Sequence, residues 1–234
     1  LRILGFIESS LVDWDGKLVS VIFLGACNFK CPFCQNYPLA KDSKNLKEIE
    51  WKTIEKKLKD KSEWLDGVVI TGGESCMHPE IIGLCHKIKQ LGLKIKIDTN
   101  GYYPYILMKL VENKLVDYIA MDIKTALDKR YERACGRKLE IGLINRTIKL
   151  LLAGKIDYEF RTTVVPGLVG EKEINQILKV IAGARLYALQ QFVPENARSQ
   201  IYRKKKPFSR AETEKFFALA KLCVKEVKLR GKFI

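Results

Sequence analysis

Between residues 18 and 193 the chain switches repeatedly between two hydrophobic periods, and this alternation narrows the fold more than any other feature. Short, apolar, β-branched runs occur at 18–24, 68–71, 93–97, 118–123, 158–165 and 186–193. Between them lie stripes at helical spacing: Trp51, Ile54, Leu58 and Leu65; Ile81, Leu84, Cys85, Ile88 and Leu91; 106–111; Ile141, Ile144, Ile148 and Leu151; Ile174, Ile177, Leu178 and Ile181. Strands separated by helices call for a parallel sheet with its helices outside. Six such βα units, after a preliminary strand within residues 1–10, predict an α/β chain folded as a partial (β/α)6 TIM-like barrel. No linker, repeat or low-complexity segment divides it, so one domain is expected over 1–234, with its core at about 17–200. A C-terminal helix is expected over 209–229. It starts at the capping box Ser209…Glu212 and turns Phe216, Leu219, Ala220, Cys223 and Val227 inward.

Composition sets bounds on what such a chain does. Apolar residues make up 47% and charged residues 29%, as in a soluble globular domain. No run approaches the roughly 20 apolar residues of a membrane span, and no secretory signal is visible. Seven cysteines without paired spacing argue for a reducing compartment, hence a cytoplasmic location. The net charge of +15 has two readings. One is a nucleic acid or other polyanion as partner; the other is a lysine-rich thermophile surface laced with ion pairs. The lysines are spread along the chain, with only Arg203-Lys204-Lys205-Lys206 forming a block, which favours the second reading without removing the first.

The first long strand runs directly into Gly25-Ala-Cys-Asn-Phe-Lys-Cys-Pro-Phe-Cys-Gln-Asn-Tyr37. Cys27, Cys31 and Cys34 have C-x3-C-x2-C spacing, and a short loop of this kind can turn three thiolates onto one iron–sulfur cluster. Such clusters normally take four cysteines, so three with no obvious fourth leave one iron open to a ligand. Two other readings stand beside this one: a zinc loop lacking a ligand, and a coincidence of buried cysteines. Zinc sites usually show two ligand pairs, and no second C-x-x-C or histidine pair exists here.

This stretch resembles the signature of radical S-adenosylmethionine enzymes. The resemblance implies a 4Fe–4S cluster on Cys27, Cys31 and Cys34, with Phe33 beside it. It also implies that the open iron chelates S-adenosylmethionine, which is cleaved reductively to a 5′-deoxyadenosyl radical. Downstream, Thr71-Gly72-Gly73-Glu74 ends the second long strand and is similar to the family motif that holds the methionyl amino group. By themselves two glycines let backbone approach a ligand closely, and Glu74 can accept from an ammonium. Asp98-Thr99-Asn100-Gly101 and Asp122-Ile123-Lys124 end the next two strands. With the cysteines they resemble the glycyl-radical-activating subgroup, where Asp98, Thr99 and Asp122 would line a monovalent-cation and cofactor site. Lys124 would then neutralise the methionyl carboxylate, Arg161 would touch the cofactor, and Gln190 or Gln191 would bond its ribose.

The resemblance is closest to activating proteins of anaerobic ribonucleoside-triphosphate reductases. The expected reaction is abstraction of a hydrogen atom from a glycine of a partner enzyme by the 5′-deoxyadenosyl radical, with no protein acid–base residue needed. A ferredoxin or flavodoxin is the expected electron donor. Two alternatives stay open: a radical enzyme that modifies RNA or a small molecule, and a non-catalytic electron-transfer protein using the same cluster. Of the remaining residues, His78 and His86 read as structural, Cys85 and Cys223 as core thiols, and Cys76 as a small turn residue within possible reach of the cluster. Cys135 falls in a loop with no assigned role.

Overall fold

The computed structural model describes residues 1–41 and 44–232. One eight-stranded sheet runs in chain order: β1 (Ile3–Ser10), β2 (Val19–Leu24), β3 (Gly67–Gly72), β4 (Lys94–Thr99), β5 (Tyr118–Asp122), β6 (Asp157–Val164), β7 (Leu186–Gln191) and β8 (Glu226–Arg230). β1 pairs antiparallel with β2, and every later pair is parallel. Among the described residues no β1–β8 ladder closes the ring. The architecture is the partial barrel that the alternation of periods predicts, with β2–β7 as its six expected strands.

The helices cover the outside of this wall. They are α1 (Tyr37–Ala40), α2 (Trp51–Asp60), α3 (Ile81–Lys89), α4 (Pro104–Glu112), α5 (Lys129–Cys135), α6 (Ile141–Leu152), α7 (Glu171–Val180), α8 (Gln200–Arg203) and α9 (Arg210–Lys221). The main core lies between strands and helices, where Ile22, Ile70, Ile97, Ile119, Phe160 and Leu189 meet Ile54, Ile81, Leu107, Ile148 and Ile177. Each fully buried aliphatic side chain contributes roughly 1.5–3 kcal/mol.

The other face of the same strands fills the lumen, and it is mixed. Trp14, Val19, Val21 and Val69 form a small apolar cluster on the β2–β3 side. Farther round, the lumen is ionic: the Arg161 guanidinium reaches Asp98 (3.1 Å) and Asp122 (2.9 Å), and Arg230 holds Glu159 (2.6 Å). Register makes room for these long side chains. Ala120 lies beside Asp98 and Glu159, and Ala188 beside Arg161 and Lys228.

The C-terminal segment differs from expectation. The capping box is present, with the Ser209 N–H donating to Glu212 Oε2 (2.8 Å) and the Glu212 N–H to Ser209 Oγ (3.3 Å). The helix, however, stops at Lys221 rather than reaching 229, and Glu226–Arg230 becomes β8. Glu-Val-Lys-Leu-Arg alternates at period two. That pattern sends Lys228 and Arg230 toward Asp15 and Glu159 while Val227 and Leu229 pack on the outer core. In a strand both charges turn to the same side, whereas on a helix residues two apart point in different directions.

Candidate active site

The parallel strands end at one rim, where the loops that follow them surround a cavity of about 540 Å³. The cysteine loop leaves β2 through Ala26, whose φ of 62° is uncommon for a residue with a Cβ. Two hydrogen bonds hold it: the Ala26 N–H donates to the Leu39 carbonyl (3.0 Å), and the Ala26 carbonyl accepts from the Glu74 N–H (2.9 Å). The glycine pair makes this possible. A Cβ at Gly73 would lie 1.7 Å from the Ala26 oxygen, and one at Gly72 (φ 108°) would lie 2.6 Å from the Leu24 oxygen. The close approach expected toward a ligand is therefore made, in the first place, between the β3 loop and the backbone of the cysteine loop. His78 adds a tether from its ring to the Gly25 carbonyl (3.0 Å), in keeping with its structural reading.

Cys27, Cys31, Cys34 and Phe33 all line the cavity. Burial, helped by the Glu74 carboxylate, pushes the Cys27 thiol up to about 12, and burial next to Cys31 raises Cys34 as well. Cys31 is lowered instead, because a hydrogen bond from Cys135 outweighs the cost of burial. Among the described residues no three His, Cys, Asp or Glu side chains converge on a single metal-ion position.

Gly72, Gly73, Glu74, Asp98, Thr99, Asp122, Lys124, Arg161, Gln190 and Gln191 line the same cavity, so all fourteen residues given a role in holding the cluster or cofactor come together there. Glu74 is almost fully buried and accepts from the Thr99 hydroxyl (2.6 Å), the Asn100 N–H (2.7 Å) and the Cys76 N–H (3.1 Å). It thus clamps the β3 loop to the β4 loop. Burial raises its carboxyl to about 7 against the pull of those donors. Lys124 bonds Asp122 (3.0 Å), and Arg161 bonds the other oxygen of the same carboxylate. Burial opposes ionisation of Asp122, yet Arg161 and Lys124 hold it down to about 2. For Lys124, burial acts to lower the ammonium, and Asp122 and Cys31 reverse the balance and raise it. Both bases are thus charged and turned to the cavity, Arg161 buried and Lys124 half-buried. Two buried acceptors in its wall, Asp98 Oδ1 and Gln191 Oε1, have no hydrogen-bond partner.

Several participants went unassigned in the sequence. Asn100 joins the β4 loop to the cysteine loop through Asn28 Oδ1 (2.8 Å); it stood inside Asp-Thr-Asn-Gly without a role. Thr71 donates to Asp98 (3.1 Å), and Thr163 and Arg230 complete the wall. Cys135 is not in a loop: it ends α5, fully buried, with its carbonyl accepting from the Lys30 N–H (2.7 Å). Cys76 is buried in a 3-10 turn outside the cavity wall, and Cys85 lies in the main core.

The family model described as the radical SAM superfamily matches residues 21–181. A Methanocaldococcus jannaschii protein, provisionally named a glycyl-radical enzyme activating enzyme, is 32% identical over 232 residues, covering 97% of this chain and 94% of its own. Among solved structures, Streptococcus suis SuiB bound to its precursor peptide SuiA superposes with a TM-score of 0.69 at 16% identity, over 91% of this chain and 48% of that one. This chain therefore spans about half the length of SuiB. A domain of a pyruvate-formate lyase-activating enzyme from Bacteroides vulgatus gives 0.57 at 17% identity, covering 70% of this chain and 99% of that one. At these identities both likenesses speak for the fold alone.

Proposed function

The chain belongs to the radical SAM superfamily, the family that implies a 4Fe–4S cluster and S-adenosylmethionine, and we propose that its cavity serves to generate a glycyl radical on a partner enzyme. The observation that carries this reading is the meeting of the three-cysteine loop with Asp98, Asp122, Lys124 and Arg161 in one cavity, in a chain related over nearly its whole length to a protein named as a glycyl-radical activator. The donor set fits the cofactor. Three soft sulfur ligands stand beside two fixed cations, and the Gln191 oxygen, which has no hydrogen-bond partner, offers an acceptor to a bound polar group.

In this reading Cys27, Cys31 and Cys34 hold the cluster, which with S-adenosylmethionine supplies the 5′-deoxyadenosyl radical. The chain's own residues bind, orient and exclude water. Lys124 meets the methionyl carboxylate with a charge-assisted hydrogen bond. The carbonyls around Gly72 and Gly73, held in place by Glu74, receive the methionyl ammonium. Arg161 and Gln190 face the rest of the nucleoside, and Phe33 covers the cluster side. No titrating acid or base is required, which agrees with ion pairs that keep Asp122, Lys124 and Arg161 charged across the physiological range.

The finer assignments extend the same proposal. The partner is an anaerobic ribonucleotide reductase, whose glycine loop closes the open side of the barrel and so shields the radical from water. The electron donor is a ferredoxin or flavodoxin. A monovalent cation sits against Asp98, Thr99 and Asp122, sharing Asp98 Oδ1 with the Lys96 ammonium 3.6 Å away. The setting is the cytoplasm; no helix among the described residues is long and apolar enough to cross a membrane.

The deciding experiment mixes the reconstituted, photoreduced protein with S-adenosylmethionine and the candidate reductase without oxygen, and records the electron paramagnetic resonance spectrum. A glycyl doublet on the partner is expected. Cofactor cleavage stimulated by RNA or a small metabolite, with no doublet, would instead assign the chain to that other class of radical chemistry.

A further inference from the structure

The positive charge of this chain is not spread evenly over its ion pairs. Arg130, Arg161, Arg230 and Lys124 each face a carboxylate. Around the outside of the cysteine loop the pattern reverses. Three segments meet there. Lys30 belongs to the loop itself. Arg133, Arg137 and Lys138 come from the end of α5, which the Lys30–Cys135 backbone bond fixes in place. Arg198 and the 203–206 block come from α8 and its flanks, anchored by the Arg198 N–H on the Cys34 carbonyl (3.1 Å) and the Ser199 N–H on the Pro32 carbonyl (2.9 Å).

Neither 133–138 nor 197–206 contains an Asp or Glu. Among the described residues none of these cations is in an ion pair, and the bonds they do make go to neutral acceptors. Arg137 bonds the Asn28 carbonyl (2.9 Å), Arg203 the Ala197 carbonyl (2.6 Å), and Arg133 the Gly167 carbonyl. Lys205 crowds toward Arg133: its Nζ would stand 3.2 Å from a Cβ on Gly167. Like charges gathered with few carboxylates, Glu212 near Lys206 being one, repel one another, so the arrangement carries a cost that an anionic partner would relieve. Ile201 in α8 is exposed (73%), and none of these cations lines the cavity. A broad cationic face outside the cavity suits a macromolecular partner rather than a small-molecule site.

We propose that this face is the docking surface for a small acidic one-electron carrier protein, which it seats against the outer side of the loop bearing Cys31 and Cys34. The proposal rests on the reading that these cysteines hold the cluster, and it names the chemistry of the partner that reduces it. In the transfer the reduced carrier is oxidised by one electron and the cluster is reduced by one; no bond or proton changes hands. The carrier's acidic surface answers cations that, among the described residues, form no ion pair within the chain, and its approach is steered by the same field.

The test uses an acidic flavodoxin as probe. Binding of the oxidised flavodoxin to the reconstituted protein is measured by calorimetry at low and high salt, and the rate of cluster bleaching by the reduced flavodoxin by stopped flow. Two variants carry the question: Arg203→Glu/Lys204→Glu/Lys205→Glu, and Arg133→Glu/Lys138→Glu, from a separate segment. Lys52→Glu/Lys56→Glu on exposed α2 serves as control. Either site variant is expected to weaken binding and slow bleaching about tenfold or more, while photoreduction by deazaflavin and cluster content stay unchanged. Wild-type binding is expected to weaken with salt. Flavodoxin binding and bleaching that match the wild type in both variants would overturn the proposal. So would variants that lose only their affinity for a short single-stranded RNA, which would assign the face to nucleic acid. Because binding of oxidised flavodoxin needs no glycyl-radical partner, failure of the substrate assignment leaves this result readable.

Discussion

Gly73 approaches Ala26 so closely that a Cβ on the glycine would stand 1.7 Å from the alanine's carbonyl oxygen. The β3 loop and the cysteine loop are therefore in backbone contact, and the shape of the cysteine-bearing segment depends on a residue 39 positions beyond its last cysteine. Gly73→Ala is expected to cost at least about 2–3 kcal/mol and to lower iron content after reconstitution. Gly83 in α3 provides the contrast, with nothing within 4 Å of its Cβ position. There, alanine is expected to be neutral or to stabilise by about 0.5–1 kcal/mol. Urea unfolding and iron analysis of the two variants check both.

The three cysteines make a second prediction. Replacing Cys27, Cys31 and Cys34 with alanine should abolish the oxygen-sensitive 4Fe–4S absorbance, whereas Cys85→Ala should leave iron and sulfide content unchanged, since Cys85 lies in the core away from the cavity. An undiminished cluster in the triple variant would refute the ligand assignment.

Lys124 is expected to act on binding rather than on stability of the cluster. Lys124→Ala should weaken S-adenosylmethionine affinity by roughly ten- to a hundredfold, the equivalent of a lost charge-assisted hydrogen bond of about 1.5–3 kcal/mol. Equilibrium dialysis with the oxidised, reconstituted protein measures this without turnover. An unchanged affinity would mean that the ammonium serves Asp122 alone.

Glu74 should make stability depend on pH in a defined window. Its carboxyl is raised from 4.5 to about 7 in the fold, so the folded protein keeps a proton that the unfolded chain releases. That contribution is fully present below about 4.5 and is lost as pH rises through about 7, a decline of about 3 kcal/mol in order of magnitude. Glu74→Gln should flatten the dependence between those limits in the cluster-free protein. Unfolding curves of wild type and variant at pH 5, 6 and 7 give the comparison. Parallel trends in the two proteins would place the titration elsewhere.

How far the sequence revealed this arrangement varies by element. The strands of the wall were legible because their outward positions carry β-branched apolar residues. The cysteine loop and the strand-end motifs were legible because each is contiguous. The ionic lumen was not recognised, although Lys94-Ile-Lys-Ile-Asp and Asp157-Tyr-Glu-Phe-Arg show the period-two signal. β8 was hidden by chance: Leu219, Cys223 and Val227 happen to continue a helical spacing past the true end of α9 at Lys221. Cys135 lay beyond local reasoning altogether, since only the folded chain brings it to Cys31. The glycine pair was correctly seen as allowing close approach, but what it approaches first, the Ala26 backbone, is a property of tertiary packing.

The unclosed side of the barrel has a mechanical consequence. Where a complete barrel would have a ladder between its outermost strands, Asp15 accepts from Lys228 (3.0 Å) and Arg230 (2.9 Å), partly exposed groups more than 200 residues distant in sequence. Among the described residues these side-chain ion pairs stand where a ladder would, so that side is expected to loosen before any of the seven strand ladders does. The molecule would then behave less as a rigid cup than as a sprung clip, its one seam softened by added salt.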